Sequence, residues 1–141
     1  MKGKQIPPFF ILLALIVFSA ACNTKPQPKV SEADQKAVVE ALENAALMAE
    51  KTSENYSDTL GGKRLGQSYL SMAVELRRLA KQEPKDWYEI RDTVKKYSDE
   101  VYSVTKGRRP TITDGPKLML GVELTKLQMQ LDDITAEVTQ P

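Results

Sequence analysis

The stretch from residue 120 to residue 138, LGVELTKLQMQLDDITAEV, decides the fold class of this 141-residue chain. Its large aliphatic side chains recur at intervals that alternate between four and three residues: Leu120, Leu124, Leu127, Leu131, Ile134 and Val138. Because an α-helix completes a turn every 3.6 residues, this spacing places all of them on one face. The stretch therefore predicts an amphipathic helix that packs a narrow apolar seam against a core.

The same alternation recurs in three segments nearer the N-terminus. The first runs through Val38, Leu42, Ala45, Ala49 and Thr52 to Tyr56, the second through Leu65, Tyr69, Met72, Leu76 and Leu79, and the third through Trp87, Ile90, Val94, Tyr97, Val101 and Val104. Each segment is long enough for several helical turns, so the sequence predicts four helices in all.

Helix boundaries are indicated by capping residues and by glycine and proline. Ser31, followed three residues later by Asp34, predicts the start of the first helix. Poor helix formers between residues 52 and 60 predict a break, and Gly61-Gly62 is expected to end that element. The second helix is then expected from about residue 63 to 83, and the turn signals at 84–86 and 107–116 separate the remaining helices.

Four amphipathic segments joined by short turns predict an all-α fold, an antiparallel up-down four-helix bundle over residues 31–139. A second arrangement stays open, since an apolar seam does not specify which chain supplies its partner. In that alternative, an extended helical hairpin dimerises to form the same core.

The first residues of the chain have the pattern of an export signal. Lys2 and Lys4 make the N-terminus positive, and an uncharged apolar run of thirteen residues, FFILLALIVFSAA, ends at Ala21. A membrane-spanning helix needs about 20 apolar residues, so this run is too short to be one. We therefore predict that residues 1–21 are a cleaved signal peptide.

The end of this leader, Ser19-Ala20-Ala21-Cys22, resembles the lipobox of bacterial lipoprotein precursors. The resemblance implies that Cys22 becomes the N-terminus and carries acyl chains such as palmitate. In that family an Asp after the cysteine is associated with inner-membrane retention, so Asn23 favours the outer membrane, at its periplasmic face. Ser-Ala-Ala would also suit an ordinary signal peptidase, which would release a soluble periplasmic protein with a free thiol. The position of the sole cysteine at the cleavage point favours the lipoprotein.

Residues 22–30 would then be the lipidated N-terminus and a tether. Two prolines, two lysines and the lack of an apolar cluster predict an extended segment that lifts the helical domain off the bilayer.

Composition removes most catalytic and metal-binding classes. The chain has no histidine, and its one cysteine is Cys22. This excludes histidine bases, Cys-His pairs and nearly all zinc and copper sites. The formal charge of +1 gives no bulk attraction to nucleic acid. We therefore expect a protein that is not an enzyme, needs no cofactor or metal and binds no nucleic acid.

Two groups of residues are candidates for binding. In an up-down bundle, the turns near residues 61 and 107 lie at the end far from the membrane, and basic side chains concentrate there: Lys63, Arg64, Lys106, Arg108 and Arg109. This basic tip could bind an envelope protein or an anionic envelope polymer. The alternative is that these residues are ordinary polar turn residues, some of which complement a helix dipole.

The second group is tyrosines at positions where leucine would pack better: Tyr56, Tyr69 and Tyr97. Buried phenol hydroxyls need hydrogen-bond partners, so these side chains could line a polar-edged pocket for a small ligand. Alternatively, each ring simply packs in a core layer.

The leading functional hypothesis is a non-catalytic, lipid-anchored envelope protein that acts as a helical interaction or structural module, with homodimerisation possible. The alternative is a periplasmic helical bundle that binds a small ligand between the tyrosines.

Overall fold

The computed structural model describes residues 25–56, 60–105 and 115–136. These residues form four α-helices and no strand: α1 (Glu32–Glu54), α2 (Leu60–Lys81), α3 (Trp87–Thr105) and α4 (Gly115–Ala136). Helix α1 packs against α2 and α4, and α4 also packs against α3, whereas α2 and α3 touch only slightly. The predicted all-α class and the packing of the helices as a bundle are thereby confirmed.

Helix α1 begins where its capping residues predict. The Ser31 hydroxyl accepts a hydrogen bond from the Asp34 backbone N–H at 3.1 Å and donates one to the Asp34 carboxylate at 2.6 Å. The helix ends at Glu54, inside the segment of poor helix formers, and Asn55 and Tyr56 form a turn. The local sequence therefore sets both ends of α1.

The start of α2 differs from the prediction. The helix begins at Leu60, so Gly61-Gly62 lies within its first turn instead of ending the element before it. The first amides of a helix lack intrahelical partners in any case, so glycine weakens the first turn less than a helix interior. Leu65, predicted to lie in the core, is 43% exposed, and Gly66 is buried in its place. A Cβ on Gly66 would lie 3.3 Å from the Ser53 carbonyl oxygen, so α1 and α2 approach too closely here for a large side chain.

The core consists mainly of the predicted seams. On α4 the fully buried row is Leu120, Leu124, Leu127 and Leu131, while Ile134 is partly buried against it. On the other helices, the predicted residues that are buried are Val38, Leu42, Ala45, Ala49, Thr52, Tyr69, Met72, Leu76, Leu79, Trp87, Ile90, Val94 and Val101. Val138 lies outside the described residues. Spacing alone thus identified most of the side chains that fill the interior.

A polar junction connects α2 and α3. The buried Lys85 ammonium donates to the carbonyl oxygens of Ala80 and Gln82 at 2.6 and 2.7 Å, at the C-terminal end of α2. The Asp86 carboxylate accepts from the backbone N–H groups of Tyr88 and Glu89, each at 3.1 Å, in the first turn of α3. Because helix ends leave backbone groups without intrahelical partners, these two side chains stabilise the end of one helix and the start of the next.

The segment before α1 is not helical, but it contacts the bundle. The Gln27 amide nitrogen donates to the Asp86 carboxylate at 3.2 Å, and its amide oxygen accepts from the Trp87 backbone N–H at 2.9 Å. Pro28 is buried, and Val30 packs against the core. Residues 25–30 therefore lie against the α2–α3 junction, a contact that the predicted extended tether did not include.

The α4 row provides the first test of the packing. Replacing Leu127 or Leu131 with alanine should lower the free energy of unfolding by about 2–5 kcal/mol, because each change leaves a cavity in the core. Met129, on the same helix, is 65% exposed, and Met129→Ala should cost less than about 0.5 kcal/mol. Chemical denaturation followed by circular dichroism measures all three variants. Equal losses at the buried and the exposed positions would contradict the assignment of the row to the core.

Candidate functional site

The predicted basic tip falls only partly on residues that the structure describes. Lys63 and Arg64, which follow Gly61-Gly62 in α2, are exposed, so both are accessible to a partner. Lys106, Arg108 and Arg109 lie outside the described residues, as does Cys22. The clustering of basic residues therefore stays a prediction.

Two of the three predicted tyrosines lie together. The rings of Tyr56 and Tyr69 are stacked, with centroids 5.8 Å apart and planes inclined by 12°. Tyr69 is buried and Tyr56 is partly exposed, so this pair closes the core at the α1–α2 end where Gly66 permits close approach. Stacked aromatic pairs contribute about 0.5–1.5 kcal/mol beyond the area they bury. The pair therefore has a structural role whether or not it also meets a ligand.

Tyr97 lies elsewhere on the bundle. Its ring is half-buried, and the Lys96 ammonium lies 5.4 Å from the ring centroid. Burial is the main reason why the pKa of the Tyr97 hydroxyl is raised, and the negative charge of Glu75 adds to it. Glu75 follows Tyr69 by six residues, about 9 Å along α2. The Glu75 carboxylate that influences Tyr97 is thus about 9 Å along α2 from the stacked tyrosine pair.

A groove between α3 and α4 is the larger of two cavities described here, with a volume of about 370 Å³. Its walls are mostly apolar, and the lining residues are Ser98, Val101, Tyr102, Lys117, Leu118, Gly121, Val122, Thr125 and Lys126. Tyr102 is 68% exposed, and Leu118 and Val122 are 41% and 46% exposed. Gly121 leaves the groove floor open, because it has no side chain between α4 and Val101.

The sequence contains a signal for this groove beside the leucine row of the core. Leu118, Val122, Thr125 and Met129 repeat the intervals of four, three and four residues, beside the buried leucine row. Helix α4 is therefore apolar on a second face, and in the described residues that face is exposed at Leu118, Val122 and Met129. Because a helix that only covers a core keeps its other faces polar, this second row indicates a contact surface.

The other cavity is smaller and polar. It has a volume of about 230 Å³ and lies between the N-terminal segment and the end of α4, lined by Lys29, Val30, Asp34, Gln130, Asp133 and Ile134. Neither cavity is lined by Tyr56, Tyr69 or Tyr97. Of these two cavities, the α3–α4 groove is the one whose size and apolar walls suit a small ligand, and the site between the tyrosines stays a prediction.

Arg77 and Arg78, adjacent residues of α2, connect this helix to two different helices. Arg77 forms a bidentate ion pair with Glu50 of α1, and Arg78 binds Glu75 and Glu89, the latter on α3. Adjacent helical residues point about 100° apart, which is why the two side chains reach opposite neighbours. Hydrogen bonding to Arg77 lowers the pKa of the Glu50 carboxyl. These charged groups have an evident structural role in helix packing.

Side chains that could hold a metal ion do not converge in the parts of the chain that the structure describes. No group of three or more potential metal-ligating side chains occurs within residues 25–56, 60–105 and 115–136. Asp132 and Asp133, the adjacent carboxylates of α4, are both exposed. Among the helices described, none is both long and apolar enough to cross a membrane.

Comparison with other proteins gives no further assignment. No family model, no curated protein and no solved structure matches this chain. The proposals for function therefore depend on the residues of the chain itself and on the geometry described above.

Proposed function

We propose that this protein is a lipid-anchored, non-catalytic module of the cell envelope that binds a partner protein through the α3–α4 groove. The anchor would be the acylated Cys22, and the favoured location is the periplasmic face of the outer membrane. The observation that carries the binding function is the exposed apolar row on α4, because soluble surfaces seldom present contiguous apolar side chains without a contact partner.

Within this proposal the helices form an antiparallel up-down bundle. Pairs of contacting residues support this order, since their numbers fall along one helix as they rise along the other. Between α1 and α2 these pairs are Tyr56 with Tyr69 and Glu50 with Arg77. Between α3 and α4, the Val101 side chain approaches Gly121 and the Arg91 guanidinium donates to Thr135.

The chemistry of the groove favours an amphipathic helix as the partner element. A groove between two helices accepts the apolar face of a third helix with residues spaced at i, i+3 or i+4 and i+7. The buried Lys117, and Lys126, whose ammonium pairs with Glu123 at 3.6 Å, line the groove beside the apolar residues, and none of its described lining residues carries a carboxylate. Acidic residues flanking the apolar face of the partner helix would therefore be complementary.

A second function remains a candidate because of the size of the groove. Small-molecule sites usually have volumes of roughly 300–1,000 Å³ and mostly apolar walls, and the groove, at about 370 Å³, lies within that range. A small apolar ligand, preferably an anion, is the corresponding alternative. This alternative places the ligand in the groove, whereas the sequence predicted a ligand site between the tyrosines.

Lipid anchoring is tested by the mass of the protein recovered from membranes. We expect an N-terminal Cys22 that carries acyl chains, and we expect Cys22→Ala to accumulate as an unprocessed precursor. A stable anchor requires two or more chains, at about 0.8 kcal/mol per buried CH₂. A mature protein with an unmodified thiol in the soluble fraction would contradict anchoring and leave the helical fold unaffected.

Groove binding is tested with two matched double variants. Leu118→Ser with Val122→Ser alters the groove, and Leu70→Ser with Val74→Ser alters an exposed Leu–Val pair of the same spacing on α2. We expect the groove variant to lose at least about tenfold in affinity for its partner, since two apolar anchors contribute more than 1.4 kcal/mol. The α2 variant should bind as the wild type does. Quantitative mass spectrometry of envelope proteins recovered with each variant identifies the partner, and titration of that partner measures affinity.

The outcomes of this experiment separate the alternatives. If wild-type protein forms dimers in sedimentation velocity and only the groove variant does not, the partner is a second copy of the chain. If recovery instead falls on replacing Arg108 and Arg109 with glutamine, and falls most at low salt, the basic tip is the binding surface. Equal behaviour of the groove variant and the α2 variant would contradict a binding function for the groove.

A further inference from the structure

We propose that the N-terminal segment holds the bundle directly on the bilayer surface, with the α2–α3 junction facing the lipid headgroups. This inference rests on the proposed acylation of Cys22, and it differs from the expectation that residues 22–30 form an extended tether that lifts the domain off the bilayer. The surface concerned is the end of the bundle formed by residues 25–30 and 82–88. Its partner is the phospholipid surface in which the protein's own acyl chains are embedded.

Two hydrogen bonds fix the segment at Gln27. The side-chain amide binds the Asp86 carboxylate with its nitrogen and the Trp87 backbone N–H with its oxygen, so both polar ends of the amide are used. The Trp87 N–H is the first amide of α3, for which a helix offers no internal partner. Gln27 is therefore part of the cap of a helix that lies 59 and 60 residues further along the chain.

The neighbouring residues extend this contact on both sides. Pro28 is buried, and the Gln35 side chain donates to the Val30 carbonyl at 3.0 Å. On the other side, the Lys25 ammonium lies 5.5 Å from the centroid of the Tyr88 ring. The segment is thus attached to the bundle from Lys25 to Val30, and only residues 23 and 24 separate it from the proposed lipid anchor.

This attachment shortens the reach of the anchor. Gln27 is five residues from Cys22, so the chain between them spans at most about 18 Å. A segment that is free up to Ser31, where the cap of α1 begins, would span up to about 32 Å. Attachment of the segment therefore lowers the greatest possible height of the bundle above the membrane from about 32 Å to about 18 Å. It also makes the α2–α3 junction the end of the bundle nearest the lipid.

The side chains at this end suit a lipid interface but do not by themselves form a charged membrane site. The Lys25 ammonium and the Arg91 guanidinium both lie near the Tyr88 ring, at 5.5 and 5.4 Å from its centroid, and aromatic rings are favoured at headgroup level. Glu83 and Lys29 are both exposed near the junction, so acidic and basic groups are mixed. The lipid anchor and the short segment that follows it hold this end of the bundle at the membrane. The position of this end should therefore not change with salt concentration.

The orientation leaves the α3–α4 groove accessible. Tyr102, in the groove wall, follows Trp87 by 15 residues, which is about 22 Å along α3. The proposed partner site would thus be held within a narrower range of heights above the bilayer than a tether free up to Ser31 would allow. A partner that is itself attached to the membrane, or spans it, would meet the groove within that range.

The experiment measures the distance from Trp87, the only tryptophan of the chain, to the bilayer. Protein purified from membranes is reconstituted into phosphatidylcholine vesicles that contain a headgroup-labelled dansyl lipid, and energy transfer from Trp87 to dansyl is recorded. We expect strong transfer that is unchanged between low and high salt. Gln27→Ala with Pro28→Gly should release the segment and lower the transfer by roughly twofold or more, because the permitted height nearly doubles.

Two further variants control for other causes. Pro26→Ala changes an exposed residue of the same segment and should leave transfer unchanged. Insertion of a Gly-Ser repeat between Thr24 and Lys25 lengthens the chain between the lipid anchor and the bundle without altering Gln27. It should lower energy transfer as Gln27→Ala with Pro28→Gly does. Circular dichroism verifies that every variant is folded.

The result that would overturn the inference is equal transfer in the wild type and in the Gln27→Ala, Pro28→Gly variant. The mass of the protein separates this failure from failure of the anchoring proposal. If Cys22 proves unmodified, its thiol is coupled to a maleimide lipid in the same vesicles, and the distance comparison is made on that protein. Attachment of the segment is thereby tested whether or not the cell acylates Cys22.

Discussion

The arrangement of this protein depends on how the backbone groups at the α2–α3 junction are satisfied. Every helix end leaves N–H or C=O groups without internal partners. Here Lys85 donates to the last carbonyls of α2, Asp86 accepts from the second and third amides of α3, and Gln27 accepts from the first. One short stretch of polar side chains thus ends a helix, begins another and holds the N-terminal segment.

Helix α4 provides the corresponding constraint inside the bundle. It packs against both α1 and α3, while α2 and α3 make little contact with each other. Its row of buried leucines therefore connects the α1–α2 pair to the α3–α4 pair, and Arg78 bridges α2 to α3 at the surface. A helix with this role needs one apolar face. The second apolar row on α4 exceeds what the core requires, and for this reason we assign it to binding.

Most of the fold could be predicted from the sequence because it depends on local periodicity. The alternation of four and three residues identified the four helices and most buried side chains, and Ser31 and Asp86 indicated where two of the helices begin. The prediction failed at Leu65, because the close approach of α1 and α2 at Gly66 is set by tertiary packing and leaves no pattern in the spacing. The prediction that Gly61-Gly62 ends the first element was also wrong, because glycine is tolerated in the first turn of a helix as well as beyond its end.

The candidate sites were harder to predict because they depend on contacts between distant residues. No local pattern indicates that Gln27 binds the start of α3, or that Tyr56 stacks on Tyr69 while Tyr97 lies apart from them. The α3–α4 groove did leave a signal, the row of Leu118, Val122 and Met129, but this row overlaps in sequence with the stronger leucine seam. The basic tip and Cys22 remain sequence-based hypotheses, since Cys22 and most of the tip lie outside the described residues.

We propose a helical module whose N-terminal segment limits its height above the membrane and whose α3–α4 face is presented to a partner. This arrangement depends on the binding of Gln27 to the first turn of α3. Hydrogen exchange at the Trp87 backbone amide measures this most directly, with the Ile90 amide, which donates to the Asp86 carbonyl, as an internal reference. We expect Gln27→Ala to accelerate hydrogen exchange at the Trp87 amide by roughly two- to tenfold, which corresponds to the loss of one net hydrogen bond, and to leave exchange at Ile90 nearly unchanged. Equal exchange rates at Trp87 in the wild type and the variant would contradict it.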